Sequence, residues 1–381
     1  DQNAADSSMT QQVPTAYVTR TTQTDLNNPR AGGTTNFGSQ FLALGLANCT
    51  GGTFTVAAGT GCRYDLTDRY RQLQPFQEKY SVNGRISVRL SDSIEAYLTG
   101  SYSRSYVRIQ GLPTGIRQTQ PFGSAPTLAS NNPGIVLPVY ICAAGTNCAT
   151  AADRQLNPNN PYAAAYAADP ANGAARIYYA FGDIPGGSER SNEVYRFTGG
   201  LNGTFGGDWN WRVEGVYARD ELRLTQHGTI NIAALMRAIN TGSYNFVNPQ
   251  LNSQATRDAI SPDRTTPSFS QMYAVDASVT KTLFELPGGP LQVAVGGQVR
   301  HEELENNNQN AALDTYALTT ASAFGKHTVS AAYFEIDAPI VKQLEASVSG
   351  RYDHYSEGFN HFSPKVGLKF TPIKELAIRG T

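Results

Sequence analysis

Histidines, cysteines, paired carboxylates and loops rich in tyrosine and amide groups are the features through which this 381-residue chain could do chemistry. Its five histidines, His227, His301, His327, His354 and His361, are dispersed. His354 and His361 lie near Asp353 and Glu357 and could hold an ion, but Gly358 and Asn360 make an ordinary loop equally natural. There is no HExxH metal motif, GxSxG elbow or phosphate loop, and no carboxylate pair has a geometry fixed by spacing. No catalytic residue, metal or cofactor is therefore assigned, and the chain reads as a non-enzyme. The four cysteines form two close pairs, Cys49 with Cys62 and Cys142 with Cys148, each among Gly, Ala, Thr and Asn without a neighbouring histidine to complete a metal set. Two local disulfides, Cys49–Cys62 and Cys142–Cys148, in an oxidising compartment are expected; free cysteines are the alternative.

Ligand binding is expected in two long irregular stretches. The first, 106–190, carries Arg108, Arg117, Tyr140, Tyr162, Tyr178 and Tyr179; the second, 222–267, carries Gln226, His227, Asn231, Tyr244 and Asn245. Aromatic and amide groups suit sugars, while tyrosine and arginine suit an anionic iron chelate; packing between loops is the alternative for each residue. Stretches of this length are uncommon inside compact domains. What positions them is the next question.

Charged residues make up 16% of the chain, against roughly 25% in ordinary globular domains. Lys and Arg number 30 and Asp and Glu 31, a balance that gives a nucleic-acid partner no support. No apolar run approaches the length of a membrane helix. Period-two alternation, however, recurs. Tyr80, Val82, Gly84, Ile86, Val88 and Leu90 share one face, with Ser81, Asn83, Arg85, Ser87 and Arg89 on the other. A tight turn at 91–93 leads into a second strand through Tyr102. Further hairpins are predicted at 192–205 with 209–220, 273–280 with 291–300, about 326–337 with 343–355, and 365–370 with 376–381. Short strands are expected at 15–19 and 63–66, an alanine-rich segment at 162–168, and a short helix near 232–239.

Short turns alternate with long polar loops, many strand cores reach the 9–11 residues that span a bilayer when tilted, and one face carries Arg85, Arg89, Glu95, Arg212, Glu214, Glu345, Arg351 and Asp353. A wet lumen tolerates such a face; a dry core does not. The expected fold class is all-β, an antiparallel transmembrane β-barrel with Leu344, Ala346, Val348 and Tyr352 toward lipid and Glu345, Ser347, Ser349, Arg351 and Asp353 inward. A secreted β-sandwich, a glycan-binding or enzymatic module with a loop-built cleft, and a passive porin are the alternatives.

QHGTINIAALMRAINTGSYNFVNP at 226–249, FELPGGPLQVAVGGQVRHEEL at 284–304 and LEASVSGRYDHYSEGFNHFSPKVGLKFTPIKELAIRGT at 344–381, with the hairpin at 80–105, resemble the barrel portion of TonB-dependent outer-membrane receptors, particularly the caulobacter and sphingomonad branch. That resemblance spans most of 62–381. It implies part of a 22-stranded barrel in the bacterial outer membrane, in contact with lipid and lipopolysaccharide, its long loops extracellular. It also implies active uptake of a scarce small solute, most often an iron–siderophore complex, with oligosaccharide and cobalamin as alternatives. TonB, ExbB and ExbD would act through an N-terminal plug. The sequence matches neither the family's plug nor its terminal aromatic strand, so residues 1–381 are expected to supply one portion of the barrel domain.

Overall fold

The computed structural model describes residues 16–21, 42–49, 51–56, 59–62, 70, 72–116, 135–169, 174–315 and 321–381. Its main feature is a ten-stranded antiparallel meander: β1 (Phe76–Ser91), β2 (Ile94–Gly111), β3 (Gly186–Phe205), β4 (Trp209–His227), β5 (Arg264–Leu286), β6 (Gly289–Asn306), β7 (Ala323–Val341), β8 (Leu344–Tyr355), β9 (Asn360–Ile373) and β10 (Leu376–Gly380), each paired with its neighbours in sequence. All five predicted hairpins are present. Turns at 92–93, 206–208, 287–288, 342–343 and 374–375 lie at one end. Connections 112–185, 228–263, 307–322 and 356–359 leave from the other, so length segregates by end as a membrane barrel requires.

Register determines the two faces. One rung runs Ile86–Leu98–Gly199–Gly215–Val275–Val299, and another Val293–Ile336–Val348–Val366. Most of these side chains are exposed, Ile86 at 66% and Val366 at 59%. Aromatic rings bound the band on both sides. Tyr80, Tyr102 and Tyr195 form a row at the loop end, with centroids 6.1 and 5.1 Å apart. At the turn end Phe205 stacks on Trp209 at 5.8 Å, and the Lys281 ammonium lies 4.9 Å above the Trp209 ring. From Tyr195 to Phe205 a strand rises roughly 33 Å. A tilt of about 40° turns that into about 25 Å of height, the thickness of a barrel's apolar band. β8 divides into an apolar and a polar face as predicted: Val348 pairs with Ile336 and Val366, while Glu345 and Arg351 lie on the polar face.

The strands outrun the 9–11 residues read from alternation; β5 has 23. Backbone pairing continues past the apolar band, for instance Leu222–Gln226 against Arg264–Ser268, where neither face needs to be apolar. Consequently the long connections are 112–185 and 228–263 rather than 106–190 and 222–267. Strand Tyr17–Thr21 replaces the predicted 15–19, and 63–66 lies outside the described residues.

The long connections are not separate loops. They pack with the N-terminal segment into one lobe over the loop end of the meander. In a five-stranded sheet, Ala174–Ala180 pairs with Tyr17–Thr21, Ile135–Leu137 and Gly115–Ile116, and Tyr17–Thr21 pairs with Leu42–Ala43. Among the described residues three α-helices accompany it: α1 (Ala163–Ala168), α2 (Ile232–Thr241) and α3 (Gln254–Ile260). In α2, Leu235, Ala238 and Ile239 fall at helical spacing and are buried, Asn231 Oδ1 accepts from the Ala234 N–H at 2.9 Å, and Gly242 ends the helix at φ 70°. The lobe core includes Val18, Leu137, Ile177, Phe181, Ile230, Leu235 and Phe246. Among the described residues no helix is long and apolar enough to cross a membrane.

Candidate functional site

On the polar face, charged and aromatic side chains join into a belt running from β1 to β8. The Arg85 guanidinium lies 4.3 Å from the centre of the Tyr97 ring, and the Tyr97 hydroxyl donates to Glu214. Glu214 sits directly opposite Asp276 on the next strand. Asp276 accepts from the Tyr333 hydroxyl at 3.0 Å and from Gln298 at 3.4 Å, with Arg212 at 4.0 Å. Arg351 donates to Gln298 Oε1 at 3.0 Å and to Asp353 at 2.9 Å.

Two facing carboxylates in adjacent strands are thus each held by a tyrosine two strands away, from opposite directions. A phenol can cross the intervening strand only where that strand has no side chain. Tyr97 lies over Gly200, where a Cβ would come 2.8 Å from the ring; Tyr333 lies over Gly296, where it would come 2.3 Å away. Hydrogen bonds to ionised acceptors are stronger than neutral ones, so the belt is a connected wall of donors and acceptors along the polar face.

The lobe is organised around one buried acid. Asp183 has a side chain 1% exposed. It accepts from the Tyr244 hydroxyl at 2.5 Å, the Tyr179 hydroxyl at 3.2 Å, Arg257 Nε at 3.1 Å and Asn252 Nδ2 at 3.3 Å. Asp183 and Tyr179 come from the first long connection, and the other three from the second. Burial is the first cause that pushes both tyrosines well above the usual phenol range; Asp183 adds to it at Tyr179 against the hydrogen bond to Tyr244, and Tyr179 and then Asp183 add to it at Tyr244. They are neutral donors at any physiological pH, as a buried carboxylate requires.

Tyr179, Phe181, Tyr244 and Phe246 pack around this group, edge-on except for the tilted Tyr244–Phe246 pair, with centroids between 4.7 and 6.1 Å. Buried Asn159 closes the same join, donating to Tyr244 O at 3.1 Å and accepting from the Phe246 N–H at 2.9 Å. Disulfides Cys49–Cys62 and Cys142–Cys148, with Cα separations of 5.3 and 5.2 Å, brace its outer segments. The third connection locks on as well: Ile232 N donates to Asp314 O at 2.8 Å, and Arg264 pairs with Asp314.

These contacts redistribute the residues expected to bind ligand. Tyr179 and Tyr244 are core, with 1% and 0% exposure, because their phenols are needed by Asp183. Tyr162 packs partly buried against the same core. Asn231 caps α2 and donates to Asp314; Asn245 Oδ1 accepts from the Asn248 N–H at 2.8 Å and shapes a turn. Arg108 and His227 fall, by register, on the lipid side of the meander above the aromatic row, Arg108 over Phe76 at 5.6 Å and His227 between Asp263 and Glu189 at 2.7 and 3.5 Å. Gln226 is on the inner side, 3.2 Å from Gln309, and Tyr140 is half-buried under Arg154 at 5.0 Å. Arg117 and the side chain of Tyr178 lie outside the described residues. The described members of the expected set are therefore not gathered into one place.

Asp183, Asn252 and Arg257, which organise the lobe, were not singled out by sequence reasoning, and no spacing joins them. Tyr97, Asp276 and Tyr333 carried a usable signal: each occupies a polar-face position in an alternating strand. Among the described residues, no group of three or more His, Cys, Asp or Glu could hold a metal ion.

Residues 142–381 match the family model for the TonB dependent receptor-like β-barrel. No curated protein matches the chain. Similar solved structures include a mutant of the ferric enterobactin receptor PfeA from Pseudomonas aeruginosa (11% identity, TM-score 0.41, 82% of this chain and 33% of that one). The RagAB peptide transporter is similar at 11% identity and TM-score 0.42 over 78% of this chain and 30% of that one. The ferric-catecholate import receptor Fiu of E. coli K12 is similar at 10% identity and TM-score 0.40 over 80% and 43%. The chain thus spans well under half the length of each. The family match covers more than half of the sequence and takes in β3 to β10, and on that ground the chain belongs to the TonB-dependent receptor-like β-barrel family of the bacterial outer membrane.

Proposed function

We propose that this chain is a portion of an active importer that carries a scarce solute across the outer membrane, with TonB, ExbB and ExbD supplying energy through a plug. The two-faced meander carries this reading. An apolar band bounded by aromatic rows backs a connected polar belt, and the edge strands β1 and β10 have backbone groups that lipid cannot satisfy. Completion to a closed barrel of 22 strands, with residues 1–381 contributing part of that single domain, meets this requirement. The caulobacter and sphingomonad branch is the one whose sequence pattern it follows.

An iron–siderophore complex is the proposed solute, ahead of an oligosaccharide or cobalamin. The inner-side Gln226 and half-buried Tyr140 are the proposed contacts among those expected from sequence. Transport involves no covalent step: the lobe receives solute at the mouth, the belt holds the plug, and energised movement of the plug opens the path. The test is uptake of radiolabelled ferric siderophore by cells carrying the full-length receptor, with and without TonB. TonB-dependent uptake is expected. Uptake unchanged by loss of TonB, or a steady ion conductance of the purified receptor in planar bilayers, would replace this reading with a passive porin.

A further inference from the structure

We infer that the polar face of β1 to β3 is the track along which an anionic solute passes through the barrel, attracted in turn by a series of unpaired cations. This rests on the import reading above and narrows its solute to an anion.

The polar face of these three strands carries Lys79, Arg85, Arg89, Arg190 and Arg196, all exposed, with Glu95 as its only carboxylate. None of the five cations makes an ion pair among the described residues, and Glu95 stands opposite Arg89 without one. Arg85 Nε donates to Ser87 Oγ at 3.4 Å, and its guanidinium lies over the Tyr97 ring. The other four have no side-chain partner among the described residues. The arginines on the same face from β4 to β8 differ. Arg212 lies by Asp276, Arg264 pairs with Asp314, Arg300 with Glu302 and Arg351 with Asp353. Arginines without a counter-charge are thus confined to one sector of the wall.

Register sets their heights. Arg190 pairs with Val107 and through it with Gln77; Arg196 pairs with Ser101 and through it with Asn83. Measured on β1, the five cations stand level with residues 77, 79, 83, 85 and 89, in steps of two, four, two and four residues. These are steps of about 7 and 13 Å along the strands, roughly 40 Å in all. The series starts above the tyrosine row at Tyr80, on the lobe side, and ends near the turn at 92–93. The shorter steps match the screening length of physiological salt, about 8 Å, so an anion at one level still feels the next. Cations without fixed counter-charges attract such a solute at every level, and their exposure keeps each contact weak enough to release. A docked domain would account for one or two levels. A path accounts for a series that runs from mouth to turn.

The experiment labels the full-length receptor in intact cells with two methanethiosulfonates of opposite charge, sulfonatoethyl and trimethylammonioethyl, added outside and read by mass spectrometry of the purified protein. Ser101→Cys places a thiol beside Arg196, and Ser270→Cys places the control on β5 opposite Asp220. Cys49, Cys62, Cys142 and Cys148 are held in disulfides and do not compete. The ratio of anionic to cationic labelling rates at position 101 should exceed that at 270 by about tenfold or more, and the excess should shrink as salt is raised. Arg196→Gln should remove most of the excess. Arg190→Gln, about 20 Å up the strand, should lower it severalfold, because the reagent passes that level first. Equal ratios at the two positions overturn the inference. So does an Arg190→Gln variant that matches its parent, since a purely local field would behave that way. A thiol at 101 that neither reagent reaches, with or without TonB, overturns it in favour of a wall covered by the plug. Charge preference that persists equally in cells lacking TonB supports the anion track and removes the active-import reading alone.

Discussion

Replacing Asp183 with alanine should open the lobe without disturbing the meander. The substitution removes the only acceptor shared by Tyr179, Tyr244, Asn252 and Arg257 and leaves a guanidinium, whose side chain is 18% exposed, without its counter-charge. Breaking a buried ion pair by deleting one partner costs about 3–5 kcal/mol. The Tyr179 and Tyr244 hydroxyls, 2.9 Å apart, can still bond each other, so one O–H left without an acceptor adds to this while water entering beside Arg257 subtracts from it, and about 3–5 kcal/mol is the expected net cost. Because the strands are held by their own ladder, the loss should appear as local opening, with amide exchange faster by roughly 10²–10⁴-fold. Hydrogen exchange by mass spectrometry reads this in peptides covering 176–184 and 244–257, with β5 and β6 as internal reference. Asp183→Asn keeps an acceptor for the phenols and should lie between wild type and alanine. Unchanged exchange in the lobe peptides of Asp183→Ala would refute the claim that this carboxylate joins the two connections. Equal acceleration in β5 and β6 would refute the independence of lobe and ladder.

Val348→Arg places a cation in the apolar band and should cost about 2–4 kcal/mol near the bilayer midplane; Ser347→Arg should cost less unless it strikes the plug. Spin labels report the faces directly, since lipid-soluble relaxants should reach position 348 and not 347, and the reverse pattern would sink the register. Gly296→Val drives the Tyr333 ring off Asp276 and should lower stability by about 1–3 kcal/mol in urea unfolding. Gly84→Ala, where a Cβ meets nothing within 4 Å, is the near-neutral control, and equal effects would remove the crossing tyrosines from the account. The lobe should also loosen in alkali. Tyr179 and Tyr244 have folded pKa values above the unfolded value of about 10, so their contribution is complete below pH 10 and is lost as pH rises beyond it. Lobe exchange, corrected for the intrinsic rate, that stays flat from pH 9 to 11 would contradict that sign.

The meander was legible because each strand states its own faces. Tyr80 to Leu90 and Leu344 to Asp353 alternate without help from distant residues, and Gly206-Gly207-Asp208 and Pro287-Gly288 mark where the chain reverses. Helix α2 was legible for the same reason, its cap and apolar spacing being local. Strand ends were not, since beyond the aromatic row both faces of β4 and β5 meet water and alternation carries no information. The lobe was least legible. Asp183 and Arg257 are far apart in the chain, and nothing in a one-dimensional pattern joins an acid in one loop to phenols and a guanidinium in another. Tyr179 and Tyr244 were noticed for the right property, a polar tip on a large ring, but that tip faces inward. Arg108 and His227 show the opposite limit: their strands were extended farther than expected, and strand parity sent them to the lipid side.

Each long connection leaves and re-enters the meander on neighbouring rungs. Gly111 is paired with Gly186, and Gln226 with Arg264, so the two ends of each connection stand about 5 Å apart. A tight turn could bridge either gap, and a differently folded cap could be spliced across the same four positions without altering one strand pair below. The junctions are cut points for chimeras: exchanging 112–185 and 228–263 together, with the N-terminal segment that shares their core and the 307–322 connection that bonds to them through Asp314, would move the whole lobe between barrels. Exchanging either alone would leave half of an acid–phenol cluster facing a stranger.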